Sequence, residues 1–110
     1  MRNLSGLYQF KSDYFDVGEV VITSGVREIV GTSFEAGRCV VDLIFRYCNK
    51  DWGNLCEEDA LLNEESIEND GANMSLFACY KTKFGKINIS TNRISEDGEF
   101  GTTVFLPSER

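Results

Sequence analysis

From Ala36 to Cys48 the chain carries apolar residues on most sides of a helical wheel: Ala36, Gly37, Val40, Val41, Leu43, Ile44, Tyr47 and Cys48 make a broad face. Glu35, Arg38, Asp42, Arg46 and Asn49 fill only a narrow polar edge. A helix this apolar must be covered by other elements over most of its circumference, so it predicts a helix central to the core. Thr32-Ser33-Phe34-Glu35 matches a capping box, in which the Thr oxygen and the Glu carboxylate satisfy free backbone amides reciprocally. The helix is therefore expected to begin after Thr32 and run to Tyr47 or Cys48.

The elements around it follow from period and punctuation. Phe15 to Thr23 reads as a strand, with β-branched Val17, Val20, Val21 and Ile22 between Gly18 and Gly25, and Val26 to Val30 as a short turn of helix. Residues 1–14 form a variable leader in which the alternation Leu7-Tyr8-Gln9-Phe10-Lys11 predicts a short edge strand. A second helix is expected from about Leu55 to Asn69, with Asn54 as its cap, Gly71 as its stop, and Leu55, Cys56, Ala60, Leu62 and Ile67 on its apolar side. Ser75 to Lys81, Lys86 to Thr91 and Thr102 to Leu106 read as three strands of an antiparallel meander, turned at Phe84-Gly85 and Glu96-Asp97-Gly98. The order β-α-α-β-β-β implies an α+β fold, an antiparallel sheet of about four strands with two adjacent helices on one face.

With 110 residues, 42% hydrophobic and 26% charged, the chain suits one domain with one core. Val20-Val21-Ile22 and Cys39-Val40-Val41, its longest apolar runs, are far shorter than the roughly 20 residues of a membrane span. The polar start of the chain lacks an apolar signal region, so a cytoplasmic protein is expected. Cys39, Cys48, Cys56 and Cys79 are spaced 9, 8 and 23 apart with no histidine anywhere. That spacing matches no usual zinc pattern, and reduced, structural cysteines are expected, with no metal and no cofactor.

The absence of histidine also removes the Cys-His and Ser-His nucleophile designs. No glycine-rich phosphate loop and no Asp-x-Asp-x-Asp-Gly calcium loop is present. A binding protein is expected, not an enzyme. The net charge of −7 is unevenly spread: residues 51–80 hold eight acids and no Lys or Arg, while the remainder holds ten acids and eleven bases. On the second helix Glu57, Glu58, Glu64, Glu65 and Glu68 share one side, and Leu61 projects into their midst. Such a face keeps a protein hydrated; it also suits docking on a basic surface, with leucine as anchor and carboxylates as rim. Trp52 reads either as a loop anchor or as part of the same interface. The bases Lys81, Lys83, Lys86 and Arg93 beside Tyr80 and Phe84 fit a nucleic-acid patch or simple protection of a sheet edge.

Four segments carry a resemblance: Gly18 to Val26 (GEVVITSGV), Asp51 to Asp59 (DWGNLCEED) with Asn63 and Glu64 following, Lys86 to Ile89 (KINI), and Thr102 to Pro107 (TTVFLP). Together they resemble a family of small bacterial proteins carried on plasmids and other mobile elements, usually labelled plasmid-related protein or type I restriction subunit. The chain departs from that pattern in its leader, in lacking a histidine before the DWG block, and in a longer loop from Ile94 to Gly101. The resemblance implies a role in plasmid or phage maintenance. The expected function is therefore an anti-defence inhibitor, most concretely an anti-CRISPR protein, that docks Glu57, Glu58, Leu61, Glu64, Glu65, Glu68 and Trp52 on a basic nucleic-acid-binding surface of a host effector. An antirestriction protein is the nearest variant, and a small regulatory nucleic-acid-binding domain the alternative of a different class.

Overall fold

A computed structural model describes the backbone of residues 2–3 and all of residues 10–109. The elements are β1 (Arg2–Asn3), β2 (Glu19–Ile22), α1 (Ser24–Val30), α2 (Phe34–Cys48), α3 (Glu57–Asn69), β3 (Leu76–Thr82), β4 (Gly85–Arg93) and β5 (Phe100–Phe105), with 3-10 turns at Gly71–Asn73 and Pro107–Glu109. The fold is α+β. As its apolar pattern requires, α2 buries Ala36, Val40, Leu43, Ile44, Tyr47 and Cys48. The cap is one residue later than expected. Ser33 Oγ accepts from the Ala36 N–H at 3.0 Å, while the Thr32 hydroxyl donates back to the Ile29 carbonyl at 2.6 Å. Glu35 makes no capping-box bond and pairs instead with Lys83 of the β3–β4 turn.

The sheet order is β1-β2-β5-β4-β3. The last three strands form the antiparallel meander that their alternation predicts. β2 joins parallel to β5, with Val20 beside Thr102 and Ile22 beside Val104, so one pair departs from an all-antiparallel sheet. An edge sets which strand β2 joins: the outer side of β3 is taken by residues 53–66, as shown below, which leaves β2 only the free side of β5. The first strand is also shorter than expected, because Gly18 (φ 61°) turns the chain tightly against β5. A Cβ there would stand 1.7 Å from the Phe100 carbonyl oxygen. The leader's expected edge strand is not formed by Phe10 and Lys11, and Leu7 to Gln9 lie outside the described residues. The short edge strand is Arg2–Asn3, antiparallel to Val21 and Ile22.

One face of the sheet presents Val20, Ile22, Ile87, Ile89 and Val104 to α2, forming a core that Trp52, Met74, Leu76 and Tyr80 complete. At its centre runs a chain of hydroxyls: Tyr47 Oη to Thr91 Oγ1, Thr91 Oγ1 to Thr102 Oγ1, and Thr102 to the Val17 carbonyl, each 2.7 Å. The terminal carbonyl can only accept, so every hydroxyl donates in the same direction, away from Tyr47. Each buried polar atom thereby finds a partner, which is the condition for burying three hydroxyls without penalty. At the other end of the chain the Glu109 carboxylate accepts from Thr23 Oγ1, the Gly25 N–H and the Leu106 N–H, tying the last turn to the start of α1. No helix among the described residues is long and apolar enough to cross a membrane.

Candidate functional site

The acidic segment is held by its own backbone and by amide side chains. After α2, Lys50 adopts a left-handed conformation (φ 64°) and Asp51 reverses the chain. The Asp51 carboxylate accepts from Arg46 Nε at 2.7 Å and from the Gly53 N–H at 3.0 Å, and its carbonyl accepts from Tyr80 Oη at 2.7 Å. The Arg46 guanidinium and then the Gly53 amide hold the Asp51 carboxyl below its usual range. Trp52 turns inward, edge-on to Tyr47 with ring centroids 5.4 Å apart and 6.1 Å from Phe15. Only 7% of it is exposed, so Trp52 is a core anchor and takes no part in a surface. Gly53 (φ 71°) lies flat on β3, where a Cβ would stand 2.3 Å from the Cys79 carbonyl oxygen.

From here the segment runs along the outer edge of β3 and satisfies its free backbone groups one after another. The Asn54 N–H donates to the Cys79 carbonyl at 2.7 Å, and Asn54 Oδ1 accepts from the Lys81 N–H at 2.8 Å. Asn63 does both jobs with its side chain: Nδ2 donates to the Phe77 carbonyl at 2.7 Å and Oδ1 accepts from the Phe77 N–H at 3.1 Å. Ser66 Oγ accepts from the Ser75 N–H at 2.9 Å. These bonds serve Ser75, Phe77, Cys79 and Lys81, the alternate residues whose groups face away from β4. Asn54 is thus spent on the sheet edge and does not cap the helix, which starts at Glu57 with Cys56 at its cap and no side-chain capping bond.

This docking sets which side of α3 faces out. Its buried residues are Asn63 and Ser66. Ala60 and Ile67 pack partly on the core, as does Leu55 ahead of the helix. Leu62, expected on the buried side, is 60% exposed, and Cys56 is exposed as well. Leu61 is 56% exposed, as its place among the acids requires. Glu57, Glu58 and Glu65 lie three or four residues from it, hence beside it on the helix, and Glu68 one turn further on. All four are exposed. Glu64 is not part of that open face: it is half-buried, with Oε1 2.7 Å from Lys50 Nζ. The exposed side of α3 is therefore Leu61 among four carboxylates, with Leu62 at the margin beside Glu58, Asp59 and Glu65, and no Lys or Arg of the same helix relieves the charge. Asp59 and the glutamates of the first turn lie favourably at the helix's positive end, whereas Glu65 and Glu68 lie toward its negative end, which opposes them.

Among the described residues no group of three thiols or carboxylates is arranged to hold a metal ion. No protein-family model matches the chain, and neither does any curated protein or solved structure. Asn54, Asn63 and Ser66, which orient the whole segment, were not singled out as a set from the sequence. Their signal was available in the pair Asn63 and Ser66, three residues apart on the side of the helix where an apolar stripe was expected.

Proposed function

We propose that this chain is a non-enzymatic binding protein that presents the exposed side of α3 to a basic surface on another protein. The observation that carries this reading is the exposure of Leu61, 56%, among Glu57, Glu58, Glu65 and Glu68, with Leu62, 60% exposed, at the margin of that cluster beside Glu58, Asp59 and Glu65. Two adjacent leucines in water are unfavourable for the isolated chain, by up to about 1.5–3 kcal/mol each relative to burial, and an interface recovers that energy. The carboxylate rim speeds encounter with a cationic partner and repels nucleic acid. Forgoing mixed signs also forgoes the pairs at four-residue spacing that stabilise ordinary surface helices by about 0.2–0.5 kcal/mol each.

The resemblance to plasmid-carried proteins directs the choice of partner: the nucleic-acid-binding surface of a host defence effector, in the first place a CRISPR effector, with a restriction enzyme as the nearest variant. The place of action is then the bacterial cytoplasm. The test is a plasmid-interference assay in cells carrying the effector. The wild-type chain is expected to protect the incoming plasmid. Leu61→Asp, and separately the triple reversal Glu57→Lys, Glu65→Lys and Glu68→Lys, are expected to lose protection while keeping wild-type thermal unfolding. Protection that survives both sets of changes overturns the reading.

A further inference from the structure

The outer side of α2 carries a second apolar strip, distinct from the leucines of α3. Phe34 is 88% exposed, the most exposed large apolar side chain among the described residues. Phe45 is 44% exposed, and Val41 lies half-buried between them. Phe34, Arg38, Val41 and Phe45 follow one another at spacings of four, three and four residues. That rhythm sets them in one line along the helix and is the rhythm of a seam between two paired helices. The Phe10 ring packs on Phe45 with centroids 5.3 Å apart and broadens one end of the line. Arg38 stands exposed in the middle, with exposed Asp42 one turn further on, and neither makes an ion pair among the described residues. A base four residues ahead of an acid is the weaker order for a pair within one helix.

We propose that this strip is the interface of a homodimer, in which two copies of α2 pack antiparallel across Phe34, Arg38, Val41 and Phe45. Laid in that direction the strip matches itself: Phe34 meets Phe45 of the second copy, and Arg38 meets Val41 and Asp42 of it. Glu35 and Arg46, each already paired within its own chain, fall opposite one another at the border. Parallel packing sets Arg38 on Arg38 and Asp42 on Asp42, so the charges select the antiparallel arrangement. Each molecule has a net charge of −7, which opposes self-association over most of its surface. On the outer side of α2 Arg38 and Asp42 cancel, so two copies meet there without net repulsion. An anionic membrane, the other taker of a helix with exposed phenylalanines, calls for an excess of Lys and Arg along the polar flanks, which this strip lacks. A single helix pair lies at the low end of interface size, so the dimer is weak and reversible.

Sedimentation equilibrium of the full chain, from micromolar to millimolar concentration, is expected to show the average mass rising from one copy toward two. Phe34→Glu is expected to raise the dissociation constant at least tenfold. That side chain is exposed and an acid in the first turn suits a helix, so the dilute variant keeps its thermal unfolding. Arg38→Asp and Asp42→Arg each leave the strip with charges of one sign and are expected to weaken self-association. An equimolar mixture of those two variants is expected to associate at least tenfold more tightly than either alone, because each supplies the sign the other lacks. The α3 variant Leu61→Asp retains the dimer, so this interface stands or falls separately from the docking face. A one-copy mass at millimolar concentration, undiminished association of Phe34→Glu, loss of the dimer in Leu61→Asp, or a mixture of the charge variants that associates no better than its components overturns the proposal.

Discussion

The side chain on which most of the architecture turns is Asn63. Its amide supplies one donor and one acceptor at the spacing of a peptide group, so it stands in for a residue of a neighbouring strand and completes Phe77. Asn63→Ala strips both partners from a partly buried N–H and C=O, and the loss is about 2 kcal/mol, water recovering the rest. For a chain of this size that lowers the thermal midpoint by roughly 8–16 °C, measurable by circular dichroism. Asn63→Asp is expected to be no better, because a carboxylate keeps the acceptor but faces the Phe77 carbonyl with a second negative oxygen. A midpoint within 2 °C of wild type, which corresponds to less than about 0.5 kcal/mol, would show that the amide contributes almost nothing. Glu109 is a second such residue. Hydrogen bonds from the Thr23 hydroxyl, then from the Leu106 and Gly25 amides, hold its carboxyl below its ordinary value of 4.5. A carboxyl whose folded pKa is depressed stabilises the fold above its unfolded pKa and ceases to do so as pH falls through the folded value. The wild type is therefore expected to exceed Glu109→Gln in thermal midpoint by a constant margin above about pH 5.5, and the two to converge toward pH 3. A margin that is unchanged at pH 3 contradicts the capping role.

At the scale of elements, legibility tracked how each element docks. α2 was readable almost to the residue because its packing is apolar, and apolar packing leaves a helical period in the sequence. The meander strands were readable for the same reason at period two, with Ile87, Ile89 and Val104 facing the core. α3 is legible as a helix, but its face is not: Asn63 and Ser66 dock it by hydrogen bonds, which leave no hydrophobic stripe, and Leu62, which the sequence pattern puts inward, is exposed. The exposure of Leu61 is legible because its neighbours, not its own character, decide it. Trp52 was open to two readings until the rings of Phe15 and Tyr47 were seen around it. The parallel pairing of β2 with β5 had no local signature at all, since a strand's alternation is the same whichever way its neighbour runs. The choice of β5 as neighbour follows from which edges remain free, a property of the assembled sheet.

For the whole molecule, the charge layout and the sheet edges matter most. A net charge of −7 that is concentrated on residues 51–80 gives long-range attraction to a cationic partner, and that attraction is screened by salt over about 8–10 Å. If the proposed effector is the partner, raising ionic strength from about 50 to 500 mM is expected to lower the association rate with it at least tenfold while changing the dissociation rate much less, because steering acts before contact and the leucines act after it. Stopped-flow or surface-based kinetics would show the opposite split if the carboxylates acted only within the formed complex. The sealing of β3 by residues 53–66 has a further consequence. Fibres built by strand addition need two open borders on every subunit, one to receive and one to extend. Here one border is permanently stitched to its own chain by Asn54, Asn63 and Ser66, so any strand-to-strand association must begin at the β1 side and stops once two molecules have met.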